Sequence, residues 1–284
     1  MNKLGLILAM AVAFGAGGRV AASGPSPSPL PTPTGAPAPV ASKSPAPLPG
    51  KATAIVIDDF GNGMDGTEQM MELPFPITVA VMPFLPTSEK DAEEAFYKGH
   101  EVIVHMPMEP FTGRKSWLGP GAITCDLKDE EIRERVRKAV DSVPHAVGIS
   151  NHMGSKATSD ERVMENILHV CRERGLYFLD SHTNYRSIAG KTAAKMGVPS
   201  TDNQLFLDDV KDAALVRKQL LQLAKLVEVR GTGIAIGHVG TGGKKTAEAV
   251  RQAPELLPGV RFLRMSEMLR LRGIGGNGQS AQTP

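Results

Sequence analysis

Short apolar runs recur along the chain between residues 54 and 265, separated by amphipathic stretches. They lie at 54–57, 77–82, 101–105, 146–150, 176–179, 204–207, 233–236 and 261–265, and most are rich in Val and Ile without polar alternation. Continuous apolarity of this kind marks parallel strands covered by helices on both faces. The gaps carry helical spacing instead. In 129–143, Ile132, Val136, Ala139, Val140 and Val143 share one face, and 212–229 and 246–255 continue the pattern. Thr158-Ser159-Asp160-Glu161 has the spacing of a capping box, ahead of a helix that aligns Val163, Ile167 and Val170. Seven or eight strand–helix units predict an α/β fold, a distorted (β/α) barrel, with a doubly wound open sheet as the alternative.

Both architectures place functional residues just beyond the carboxyl ends of strands. The first predicted strand ends in Asp58-Asp59, the third in His105-Met106-Pro107-Met108-Glu109 and the fourth in Asn151-His152-Met153-Gly154-Ser155. The fifth ends in Asp180-Ser181-His182-Thr183, the sixth in Asp208-Asp209 and the seventh in Gly237-His238. His105, His152 and His238 therefore meet several carboxylates on one rim. Imidazole and carboxylate together form a donor set suited to Zn2+ or a similar divalent metal, with one position left for water. Taken singly, each has an ordinary reading: Asp58-Asp59 as a cap and turn, a lone histidine as a hydrogen-bonded structural residue. Their convergence favours a site. His100 and His145 precede strands and are assigned to the opposite rim as structural residues, and His169 to a helix surface. The glycine-rich stretch 240–246 lacks the phosphate-loop spacing, because His238 stands where the first glycine belongs. It reads as a turn opening a helix.

Composition changes the picture at the ends. Residues 1–22, with Lys3, an apolar run and small residues at 20–22, predict a secretory signal peptide too short to span a membrane. The expected location is therefore outside the cytoplasm: periplasm, cell envelope or secreted, with no stable membrane span after cleavage. Residues 23–50 carry proline at nearly every second or third position, the composition of a disordered, extended spacer. Residues 273–284 read as a disordered tail, leaving 51–272 as one domain. Lys and Arg number 32 against 30 Asp and Glu, and without Lys3 and Arg19 the chain is formally neutral. Neutrality argues against a nucleic-acid partner. Cys125 and Cys171 are the two cysteines and are free to pair in an oxidising compartment.

The stretches IDDFG, GHEVIVHMPMEP, VGISNHMGS, YFLDSHT and IAIGHVG, in this order, resemble the divergent polysaccharide deacetylase family. The resemblance covers nearly all of 51–272. It implies a distorted (β/α) barrel and a metal-dependent hydrolase, with Asp58 as general base, Asp59 as metal ligand and His238 as general acid. The superfamily's His-x-x-x-His pair matches His105, but Glu109 stands where the second histidine would be. His152, in the NHMGS stretch, and Glu109 are the alternatives for the third ligand. Glu109, Asn151, Ser155, Asp180, Ser181 and Trp117 are expected in supporting or substrate-binding roles.

The implied reaction is removal of acetyl groups from an N- or O-acetylated envelope glycan, with the cell-wall polysaccharide as partner. A weak or inactive barrel that binds glycan or an envelope partner is the alternative. A glycoside hydrolase with paired carboxylates would leave the histidines idle.

Overall fold

A computed structural model describes residues 50–274. The expected leader, nearly all of the proline-rich spacer and most of the tail lie outside the described residues. The strands are β1 (Ala52–Phe60), β2 (Thr78–Val81), β3 (Glu101–Met108), β4 (Ala146–Met153), β5 (Tyr177–Asp180), β6 (Ser200–Asp202), β7 (Leu205–Phe206), β8 (Thr232–His238) and β9 (Arg261–Phe262). The helices are α1 (Thr67–Met71), α2 (Ser88–Tyr97), α3 (Asp129–Asp141), α4 (Glu161–Arg174), α5 (Ala189–Met196), α6 (Ala213–Arg230), α7 (Gly243–Arg251), α8 (Ala253–Leu256) and α9 (Met265–Leu271).

All strand pairs are parallel, in the order β6-β5-β4-β3-β2-β1-β8-β7, with β9 beside the start of β1. The sheet curls into a distorted (β/α) barrel whose two ends, β6 and β7, are not joined by strand pairing. The guanidinium of Arg272 reaches across that seam, donating to Thr201, Gln204 and Thr232.

The strands alternate between two cores, which explains their unbroken apolarity. Ala52, Ala54 and Val56 of β1 point into the barrel with Ile103, Leu179, Ile234 and Ile236. Ile55 and Ile57 point outward, into the layer shared with Ile132, Ile167 and Leu220 of the helices. Each fully buried Ile or Leu of this kind contributes about 1.5–3 kcal/mol. Alanines at 52 and 54 leave room inside, and Met265, Met268 and Leu269 of α9 fill the amino end of the barrel.

Several expected boundaries shift. The cap of α4 is Asp160, whose carboxylate accepts the Val163 amide at 3.0 Å. Thr158 sits in a preceding single turn and donates its hydroxyl to Gly154 O. A carboxylate outcompetes a hydroxyl here because it also complements the helix dipole. The expected helix at 246–255 starts at Gly243 and divides at Gln252, ahead of Pro254, which has no amide to donate within a helix interior. The expected strand at 261–265 keeps only two residues before α9 begins. Gly242, with φ of 77°, opens α7 as a turn glycine. Gly243 and Gly66 allow a close backbone contact: a Cβ on Gly66 would lie 2.4 Å from the Gly243 carbonyl carbon. Cys125 and Cys171 are both free thiols, Cys171 buried on α4.

Candidate metal centre

β1 shifts register against β2 between Ile57 and Phe60, and Asp59 adopts φ of 72°. In an unbroken strand, consecutive side chains point to opposite faces; a bulge re-aims one of them. Asp58 Oδ2 and Asp59 Oδ1 consequently both lie 3.5 Å from His105 Nε2. The left-handed backbone at Asp59 costs about 1–2 kcal/mol, a strain that the surrounding structure must sustain. Asp91 of α2 contributes by accepting the Gly61 amide at 2.8 Å and the Thr87 hydroxyl at 2.9 Å.

β3 and β4 supply the imidazoles. Their register pairs His105 with Ser150 and Pro107 with His152. His105 Nδ1 lies 2.8 Å from Ser150 Oγ. His152 Nε2 donates to the Trp117 carbonyl at 3.1 Å, which leaves Nδ1 facing Asp59 Oδ1 at 3.0 Å. One donor atom each from Asp59, His105 and His152 falls within 4.8 Å of the others.

These distances suit a divalent ion. Zinc binds carboxylate oxygen and imidazole nitrogen at roughly 2.0–2.1 Å, so two tetrahedral ligands stand about 3.3 Å apart. The observed contacts of 3.0 and 3.5 Å bracket that edge. Charge points the same way. A neutral His152 with its proton on Nε2 turns a bare lone pair toward a carboxylate oxygen, an arrangement that calls for a cation between them. Burial lowers the His152 pKa, but hydrogen bonding and charge from Asp59 outweigh it and raise it above the ordinary value. Burial acts upward on Asp59, yet the two imidazoles hold it well below the usual carboxylate range. Asp58 Oδ1 is buried without a hydrogen-bond donor, and burial pushes the Asp58 carboxyl upward.

β8 brings His238 alongside, in register with Asp58. Its Nδ1 lies 2.8 Å from Asp208 Oδ1. Asp208 is buried and also accepts the His238 amide, the Thr246 hydroxyl and the Lys211 ammonium. Burial opposes its ionisation, but His238 and Lys211 bring it down to about 2. Asp208 in turn outweighs the burial of His238 and raises that imidazole above its ordinary value.

The remaining expected residues divide. Glu109 is not part of the three-donor cluster: its carboxylate accepts Lys156 Nζ at 2.8 Å and the Cys125 amide at 2.7 Å. Four residues past His105 along an extended strand, it is carried about 13 Å away. It lines a cavity of about 540 Å³ with Arg114, Leu118 and Lys156. Trp117 is 58% exposed in the loop above, with the Arg114 guanidinium 5.8 Å from its ring. Asn151 braces the β4 and β5 ends, accepting the Ser181 amide and donating to Met153 O. Ser155 accepts the Phe111 amide. Asp180 accepts the His182 amide and the Ser187 hydroxyl, and opens on a separate cavity of about 520 Å³. Ser181 Oγ is buried and has no hydrogen-bond partner. His100 is at the opposite end, bracketed by the Ile77 amide and the Met71 carbonyl. Sequence reasoning assigned no role to Ser150 or Asp208. Asp208 stood at a predicted strand end, the one available signal.

A family model described as divergent polysaccharide deacetylase matches residues 55–269. The uncharacterised protein YibQ of Escherichia coli (strain K12) is 40% identical over 65% of this chain, and an uncharacterised protein of Haemophilus influenzae is 36% identical over 65%. The matched region spans 57% and 65% of those relatives' own lengths. An uncharacterised protein of Agrobacterium tumefaciens C58 has the same fold, with a TM-score of 0.73 at 19% identity over 79% of this chain and 92% of its own. With that match running from the first strand to the last helix, the chain belongs to the divergent polysaccharide deacetylase family.

Proposed function

We propose that this protein is a metal-dependent hydrolase that removes acetyl groups from an N- or O-acetylated polysaccharide of the cell envelope. The observation that carries the reading is the meeting of Asp59 Oδ1, His105 Nε2 and His152 Nδ1 beside a second, buried carboxylate. Zn2+ or a similar divalent ion held by those three would polarise the acetyl carbonyl and bring the pKa of water near 7. Asp58 is the base: its Oδ1 has no other donor, and burial already inclines it to accept a proton. His238 is the acid, its pKa raised by Asp208 and its ring aligned through Nδ1 so that Nε2 gives its proton to the leaving amine or alcohol. Water and the acetylated sugar then yield acetate and the free amine or hydroxyl. Trp117 offers an exposed ring for a sugar face. Export to the envelope is part of the proposal and is supported by the leader-like pattern of residues 1–22.

The test is acetate release from acetylated chitooligosaccharide and peptidoglycan fragments by the zinc-loaded protein. We expect release that stops on chelation and returns with metal. Zinc at one ion per chain with no acetate from any acetylated glycan would instead favour a glycan-binding barrel.

A further inference from the structure

The two histidines of the metal centre present opposite ring nitrogens, and each choice is made by a different partner. His152 gives its Nε2 proton to a main-chain carbonyl and offers Nδ1. His105 offers Nε2, and the group facing its other nitrogen is the hydroxyl of Ser150, 2.8 Å away on the neighbouring strand. Ser150 is fully buried, and its place directly opposite His105 follows from the β3–β4 register. We infer that Ser150 is a positioning residue of the metal centre, accepting the Nδ1 proton of His105 so that Nε2 stays bare for the ion. This rests on the metal-centre reading above.

The direction of the hydrogen bond follows from the other side of the ring. His105 Nε2 faces Asp58 Oδ2 and Asp59 Oδ1 at equal distances of 3.5 Å. A neutral imidazole carries one N–H, and a ring that binds a cation through Nε2 must carry it on Nδ1. Ser150 Oγ is then the acceptor; its own proton can rotate away. The identity of the partner also has a reason. Ligating histidines commonly hand this proton to a carboxylate or a carbonyl. A carboxylate at position 150 would add a third negative charge to a buried site that already holds Asp58 and Asp59. A hydroxyl fixes the ring without altering the charge of the centre.

The experiment measures zinc affinity of the full chain by competition with a chromophoric chelator, for the parent, Ser150→Ala and Ser150→Thr. Thermal unfolding of the metal-free forms is recorded in parallel. We expect Ser150→Ala to bind zinc about 10–100-fold more weakly, with Ser150→Thr recovering most of the loss because it restores the hydroxyl. A residue that merely fills space would change the melting temperature and leave the affinity alone. Nitrogen-15 spectra of the zinc-loaded parent supply an independent readout: the His105 proton is expected on Nδ1 and the ion on Nε2. Ser150→Ala binding zinc within twofold of the parent would overturn the inference, as would a His105 proton found on Nε2. A parent that binds no zinc would overturn the metal centre itself, a separate outcome. Should Ser150→Thr fail to fold, the nitrogen assignment in the parent decides.

Discussion

Glu101 and Asp58 are both acids buried inside the barrel, Glu101 at the amino end of β3 and Asp58 at the carboxyl end of β1. Glu101 is surrounded by donors: the Tyr177 hydroxyl at 2.7 Å, the Thr78 hydroxyl at 3.3 Å and the Ser266 amide at 3.0 Å. Asp58 keeps one oxygen without any donor. The histidines repeat the contrast. His100 has a backbone group on each ring nitrogen, whereas His105, five residues later, has a hydroxyl on one and two carboxylates on the other. A buried polar group left unpaired costs stability, so one beside a cluster of metal-ligating side chains points to a ligand that completes it. The amino end is closed by its own side chains and α9; the carboxyl end is left for something to bind.

The comparison breaks most sharply at Asp58. Asp58→Asn should lower acetate release by about 10²–10⁴-fold, the usual worth of a positioned base, with zinc content unchanged. Near-parental release would make Asp58 as structural as Glu101. Glu101→Ala should do the reverse. Leaving the Tyr177 hydroxyl and Ser266 amide buried without an acceptor costs roughly 3 kcal/mol, to be read in chemical denaturation, while turnover per folded molecule stays at the parental level. A tenfold loss of turnover there would erase the division of labour between the two ends.

Asp208 sharpens it through pH. Its carboxyl is lowered from 3.8 to about 2, so it contributes stability above pH 4 that disappears as pH falls toward 2. The magnitude is about 2 kcal/mol, and Asp208→Asn should flatten that part of the acid-unfolding curve. The same substitution removes the group that raises His238. In the proposed mechanism the acid must be protonated to act, so turnover should decline as pH rises through the His238 value, and Asp208→Asn should move that decline to lower pH. An unmoved profile would separate His238 from proton donation. Smallest is Trp117→Ala, for which one lost stacking contact of about 0.5–1.5 kcal/mol predicts a two- to tenfold rise in KM with kcat retained. A fall in kcat alone would place the ring at the chemistry instead.

The barrel was legible because Ala54-Ile55-Val56-Ile57 and the corresponding runs serve two apolar layers at once, leaving no polar interruption to obscure them. The rim was legible because a parallel sheet places every strand's carboxyl end on one side. What escaped depends on contacts between distant segments. Asp208 looks like its neighbour Asp209 until β8 brings His238 beside it. Ser150 reads as one more buried strand residue until the register sets it against His105. The bulge at Asp59 leaves no mark either, since neither Asp58 nor Phe60 signals a left-handed residue between them. α9 was hidden because its apolar Met265 and Leu269 continue the pattern of the short strand before it.

The seam between β6 and β7 has a consequence for how the chain is made. The guanidinium that spans it belongs to residue 272, and the helix that fills the amino end begins at Met265. A ribosome releasing the chain in order therefore produces every candidate ligand of the rim before it produces either the plug or the clasp. Until the last turn emerges, the half-made barrel has an uncovered apolar interior and two unfastened edges, the features that recruit chaperones and promote misassembly. Closure of the barrel is thus gated by residues 265–272, and shortening the chain ahead of Arg272 should yield a protein that binds hydrophobic dye and is readily proteolysed, although every residue proposed for its chemistry is present.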